Sequence, residues 1–284
     1  KAININLFYF LKICLSVFLL VVKLLSQDVE IETHFLSTKR SIPFWIASNN
    51  NGIYKNGSIL NFKIQKKNGS FFYKLNLVLP ESFDFNEILF YDSELTYKKN
   101  NILYGFSRKN SNHNNNSLSS GSLIESRNSP GIPRVFFGSL NYHQINILNK
   151  KFDYKFFISH GRLEKSQYLE PPFVHEKTLH IKKGIHGSNL TFGLRHFAIW
   201  GGKTTYHGKQ PRSLSDFLKV FFARPGSNRS IKQEQENSLG NHLGVWDFSF
   251  QRKIRDKLYT FYYEHPYEDE SSARWLLNEF DGKY

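Results

Sequence analysis

One pattern recurs through the chain: segments of about ten residues in which apolar and polar side chains alternate, cut off by Gly, Asn, Ser and Pro. Alternation with period two puts one set of side chains on each face of a β-strand, so the chain is built from half-buried strands. In Phe71–Leu79, the residues Phe71, Tyr73, Leu75, Leu77 and Leu79 share a face, and Lys74 and Asn76 take the other. In Lys151–Ser159, Phe152, Tyr154, Phe156 and Ile158 oppose Lys151, Asp153 and Lys155. Two hairpins follow the same rule. Leu179–Lys183 turns through Gly184–Asn189 into Leu190–Trp200. There Leu190, Phe192, Leu194, His196, Ala198 and Trp200 alternate with Thr191, Gly193, Arg195, Phe197 and Ile199. The strand from Val245 sets Trp246, Phe248 and Phe250 against Asp247, Ser249 and Gln251, then turns at Arg252–Lys257 into Leu258–Glu264.

Such strands suit either a soluble sandwich, with a core on one side and water on the other, or a membrane barrel, with lipid on one side and a polar lumen on the other. Strands of about 9–11 residues and aromatics near strand ends favour the barrel. So does the N-terminus. Ile13–Val22 is a short apolar run, with Lys1 and Lys12 before it, Lys23 after it and the small Ser26 near the exit. This is the layout of a secretory signal, residues 1–26, leaving 27–284 as the barrel domain. The competing reading is an uncleaved anchor from Ile3 to Leu25. It would place Lys12 at mid-bilayer, at a cost of about 3 kcal/mol. The absence of Met, even at position 1, implies that the chain's true start precedes Lys1.

Charge and cysteine narrow the partners. Lys+Arg 38 against Asp+Glu 24 gives +14, which falls by three to +11 once the three Lys of the signal are removed. An exported basic protein suits an anionic polysaccharide or the phosphates of lipopolysaccharide and outer-membrane lipid, and not nucleic acid, for which no long Lys/Arg run is present. The single Cys, Cys14, lies inside the apolar run and excludes a disulfide framework within the chain and a cysteine-rich zinc site. No phosphate loop, zinc-protease helix or nucleophile elbow occurs, so no cofactor or metal is expected. Glu264, Glu268 and Asp269 could supply paired carboxylates for glycoside hydrolysis, but a solvated acidic loop over Tyr267–Ser272 is the favoured reading.

Two segments break the β pattern. Lys109–Ser129 is Asn- and Ser-rich and reads as a surface loop. Leu214–Phe222 places Leu214, Phe217, Leu218, Phe221 and Phe222 at helical spacing, with Ser213 or Ser215 able to cap its start. Thr33–Tyr54 reads as irregular or briefly helical, limited by Pro43.

Seven stretches together carry a resemblance. They are HFAIWGG (His196–Gly202), PRSLSDFLKVFFA (Pro211–Ala223), GNHLGVWDF (Gly240–Phe248), YYEHPYEDES (Tyr262–Ser271), IPFWIASNNNG (Ile42–Gly52), SRNSPGIPR (Ser126–Arg134) and FVHEKTLHIKKG (Phe173–Gly184). In their order along the chain they resemble the capsule assembly protein Wzi family of Gram-negative outer membranes. The resemblance implies an all-β fold: an antiparallel outer-membrane β-barrel of about 18 strands with a small helical plug element. It also implies a lectin, not an enzyme, that binds capsular polysaccharide and anchors or assembles the capsule at the cell surface. Eighteen strands need more residues than this chain has, so a C-terminally truncated barrel and an unclosed sheet are expected. A porin-like transport barrel is the alternative, and a glycan hydrolase a weaker one.

Binding a polysaccharide requires cations, planar hydrogen-bonding groups and aromatic faces. The residues expected to line the lumen or its mouth are Arg195, His196, Trp200, Lys203, Arg224, Asn241, His242, Asp247, Glu264 and His265. For Trp246 a lipid-facing position is favoured over sugar stacking. For Arg195, Asp247 and Glu264 the competing role is a structural ion network across the wall.

Overall fold

The computed structural model describes residues 30–36, 43–44, 48, 59–80, 89–109, 122–164 and 168–268. The expected signal, nearly all of Ile42–Gly52, and Asp269 with the rest of the C-terminus lie outside them. The described residues form a mostly antiparallel β structure with two short helices. They divide into two compact units.

The first unit holds β1 (Glu30–Leu36), β2 (Ile59–Asn68), β3 (Phe71–Pro80), β4 (Leu89–Phe90) and most of β5 (Ser93–Lys99). Their order is β1-β2-β3-β5, with β4 on β3. Part of the segment expected to be irregular, Thr33–Leu36, is therefore strand. It pairs with Ile59–Phe62, so pairing across the sheet overrides weak local preference. Lys74 pairs with Asp92, and Lys109 with Glu94.

The second unit carries the candidate site. It contains most of β6 (Ile102–Arg108), then β7 (Pro133–Ser139), β8 (His143–Ile147), β9 (Lys150–Arg162), β10 (Phe173–Ile185) and β11 (Ser188–Trp200). The small hairpin β12 (Lys203–Thr204) and β13 (Gly208–Lys209) follows. Helices α1 (Leu214–Phe221) and α2 (Lys232–Glu236) come next, then β14 (Asn241–Ile254) and β15 (Lys257–Glu268). The order is β6-β7-β9-β10-β11-β14-β15, with β8 on β9. It never returns to its start, so the sheet does not close, as expected.

Hairpin chemistry sets the ends of this sheet. Leu148–Asn149 and His186–Gly187 both have positive φ at two successive residues, the turn whose twist matches that of the paired strands. The short turns lie at one end. The longer connections, 163–172 and 201–240, lie at the other.

Register then sorts the side chains. On one face Val135, Phe137, Phe156, Leu179, Ile181, Leu190, Phe192, Leu194, Trp246, Phe248, Phe250 and Phe261 fall in cross-strand rows. Many are exposed, among them Val135, Phe137, Leu179, Leu190, Phe250 and Phe261. On the opposite face lie Arg134, Ser159, Glu176, Thr178, His180, Arg195 and Asp247, all buried. An apolar surface open on one side and a packed ionic surface on the other reverse the layout of a soluble sandwich.

Candidate functional site

The charged face is organised around two arginines. Arg195 is 0% exposed. Its Nε donates to Asp247 Oδ2 at 3.2 Å and its Nη2 donates to Glu264. Asp247 Oδ2 also lies 3.2 Å from His180 Nε2. Two rows along, Arg134 Nη1 donates to Glu176 Oε2 at 2.6 Å and Nη2 to Glu125. Each guanidinium binds two carboxylates, which is how buried charge is kept tolerable.

A glycine makes the first cluster possible. Gly193 is the cross-strand partner of both His180 and Asp247, which therefore stand two strands apart. A Cβ on Gly193 would lie 2.3 Å from Asp247 Oδ1 and 2.5 Å from His180 Cδ2. The two side chains meet over the gap that the missing side chain leaves.

Other residues singled out in the sequence lie elsewhere. His196 and His242 are on the apolar face and bond to each other, Nε2 to Nδ1 at 2.7 Å. His242 Nε2 lies 2.9 Å from the Leu239 carbonyl, which can only accept. His242 thus donates there and, when neutral, accepts the His196 Nε2–H at Nδ1. Trp200 is also on this face and forms a core with Ala198, Val220 and Leu239, with Phe173 and Phe217 packed on it. Its indole has no open stacking surface. His265 is the cross-strand partner of Trp246 and stacks on Tyr263. Trp246 itself packs on Phe192 with centroids 5.4 Å apart, on the apolar face. Glu264 and Glu268 share a strand face, but Glu264 is committed to Arg195.

Helix α1 explains why the end of β11 is buried. Ser213 caps it: its Oγ accepts from the Asp216 N–H, and the Asp216 carboxylate accepts from the Ser213 N–H at 2.8 Å. Burial would raise the Asp216 carboxyl. The Ser213 hydroxyl and N–H, with Arg229 and Lys219, outweigh it and hold the carboxyl below its ordinary range. At the other end Lys177 donates to the Phe221 carbonyl and lies 4.4 Å from the Phe221 ring centroid. Phe217 and Phe221 pack on His175 at 5.4 and 5.1 Å between ring centroids. The nearby α2 carries Glu234, whose carboxyl is raised by burial, partly offset by the Gly240 N–H and His207.

Lys203, Arg224 and Asn241 lie in or beside the 201–240 connection, at the end where β11 stops and β14 begins. Arg224 and Asn241 are exposed. Residues 201–240 contain seven Lys/Arg against three Asp/Glu. Tyr206, at 94% exposure, stands among them. The sequence reading missed Arg134, Glu176, Glu125 and His180. Arg134 and Glu176 fall inside stretches that carried the family resemblance, but 42 residues separate them, and only strand order brings them together. Among the described residues no group of three or more His, Cys, Asp or Glu is placed to hold a metal ion.

Comparison with known proteins agrees with this architecture. The family model of capsule assembly protein Wzi matches residues 110–282, well over half of the chain. Ile42–Gly52, which also carried the resemblance, precedes that match. No curated protein and no solved structure matches the chain. An antiparallel, unclosed β-wall with one apolar and one ionic face, together with that match, places the chain in the Wzi family of outer-membrane capsule assembly proteins.

Proposed function

We propose that this chain binds capsular polysaccharide and helps to anchor the capsule at the cell surface. On this reading the apolar face meets lipid, the ionic face lines the barrel interior, and the glycan is held where the long connections gather. The observation that carries it is the basic 201–240 connection at the strand ends, which contains Lys203, Arg224 and the exposed ring of Tyr206. Cations and a flat aromatic face are what an anionic sugar chain requires. Arg195, Asp247 and Glu264 support the site as wall structure, because Arg195 is already paired with both carboxylates. Asn241 belongs with the mouth, and His196, His242, Trp200 and His265 with the packing of the opposite face. The family is not known for enzymes, and Glu264 has no free role as a catalytic acid. Residues 1–26 fit this reading as the export signal.

The test is capsule retention. Cells lacking the protein should shed capsule into the medium, and cells carrying Lys203→Glu with Arg224→Glu should shed nearly as much while keeping normal protein levels in the outer membrane. Capsule that stays attached in both strains would refute the proposal.

A further inference from the structure

The apolar face contains a polar row that lipid would not tolerate. His160, His175 and His242 project on it in one cross-strand row and Lys177 and His196 in the next, near the ends of β9 and β11 and the starts of β10 and β14. From Leu190 to Trp200, ten residues at about 3.3 Å rise and about 40° tilt give about 25 Å of height, the thickness of the apolar band on an outer-membrane barrel. His196 therefore falls inside the band, where uncovered polar groups are costly. Helix α1 lies over this row: Phe217 packs on His160 and His175, and Phe221 on His175 and Lys177.

The outer side of α1 is itself apolar. Leu214 is 77% exposed, Leu218 50% and Phe222 63%. Their spacing of four puts them in one stripe along the helix. Lys219 follows Leu218 on its flank, and Ser213 and Arg212 mark its polar start. The stripe continues the apolar band. Phe222 contacts Phe221 at 4.9 Å between centroids, Phe221 sits on Lys177, and the next residue of β10 on that face is the exposed Leu179.

We propose that α1 is a bilayer-facing cover: it seals the histidine row from lipid and presents Leu214, Leu218 and Phe222 to the lipid at the interface. An exposed apolar stripe with a cation on its flank is the signature of a helix that lies in that interface. The occupant is thus lipid of the leaflet on the side of the long connections, not a second protein. The proposal rests on the reading that the apolar face meets lipid.

The experiment uses the full chain with Cys14→Ser, carrying one cysteine labelled with a fluorophore and reconstituted into phosphatidylcholine vesicles. Leu218→Cys reports the stripe, and Leu214→Cys repeats the measurement in case the first variant folds poorly. Phe250→Cys reports the band and Tyr206→Cys the aqueous loop. Labels at 218 and 214 should lose emission to shallowly brominated lipid and resist aqueous iodide. The label at 250 should be quenched by deeply brominated lipid. If 218 and 214 behave like 206 while 250 is quenched by lipid, the cover is refuted and the lipid-facing wall stands. If 250 too is reached by iodide and spared by brominated lipid, the wall reading falls, and the cover with it.

Discussion

Arg195→Met is the most searching perturbation of the wall. The side chain is fully buried, and it is the cation between Asp247 and Glu264. These two acids are direct cross-strand partners on β14 and β15. Cross-strand partners stand about 5 Å apart. At an effective dielectric of about 20, two bare carboxylates at that distance repel by about 3 kcal/mol. Adding the hydrogen bonds that Arg195 supplied, the loss should reach about 3–5 kcal/mol, the usual consequence of stripping one partner from a buried ion cluster. Methionine keeps most of the volume, so the effect reports charge and not a cavity. In urea the unfolding midpoint of the full chain, followed by tryptophan fluorescence in outer-membrane vesicles, should fall by about 1–2 M. Adding Glu264→Gln to Arg195→Met removes the repulsion and should return up to about 3 kcal/mol. The same Gln substitution in the wild-type background should destabilise, because it weakens a bond to a buried guanidinium. An unmoved midpoint, or a double variant no better than the single, would refute the claim that these charges hold β11, β14 and β15 in register.

Three further outcomes follow from the geometry. Gly193→Ala should destabilise by about 1–3 kcal/mol, since the new methyl displaces Asp247 and His180 from each other. Gly184→Ala, whose nearest neighbour would be 3.8 Å away, should be nearly silent in the same urea titration. Ser213→Ala should cost α1 about 1 kcal/mol, read as faster hydrogen exchange of its amides. Because the folded Asp216 carboxyl sits below its ordinary range, its contribution is fully present above about pH 4 and is lost as pH falls through the folded value. The protection factors of the wild-type α1 amides, taken against the intrinsic rate at each pH, should therefore fall on acidification, and Ser213→Ala should blunt that response. Lys177→Met removes the cation on the Phe221 carbonyl and should raise proteolysis within 214–222, with the wall itself remaining folded.

Much of this molecule is written in local pattern. Alternation is a property of consecutive residues, so the hairpins β10–β11 and β14–β15 and the split of Arg195 from His196 are legible without coordinates. The helix Leu214–Phe221 is legible for the same reason, although the sequence leaves its cap open between Ser213 and Ser215 and the structure decides for Ser213. The family stretches are local too, and they carried the outer-membrane assignment.

The partners of those residues were decided in three dimensions. Arg195 meets Asp247 and Glu264 across 52 and 69 residues of chain, and it does so because β11 lies beside β14, and β14 beside β15. Alternation said that His196 and Trp200 share a face with Leu190. It could not say that α1 would land on that face and turn its upper end into a core. A strand's period assigns each side chain a side. What waits on that side depends on which distant segment the folded chain brings there, and burial energy depends on that neighbour, not on the residue alone.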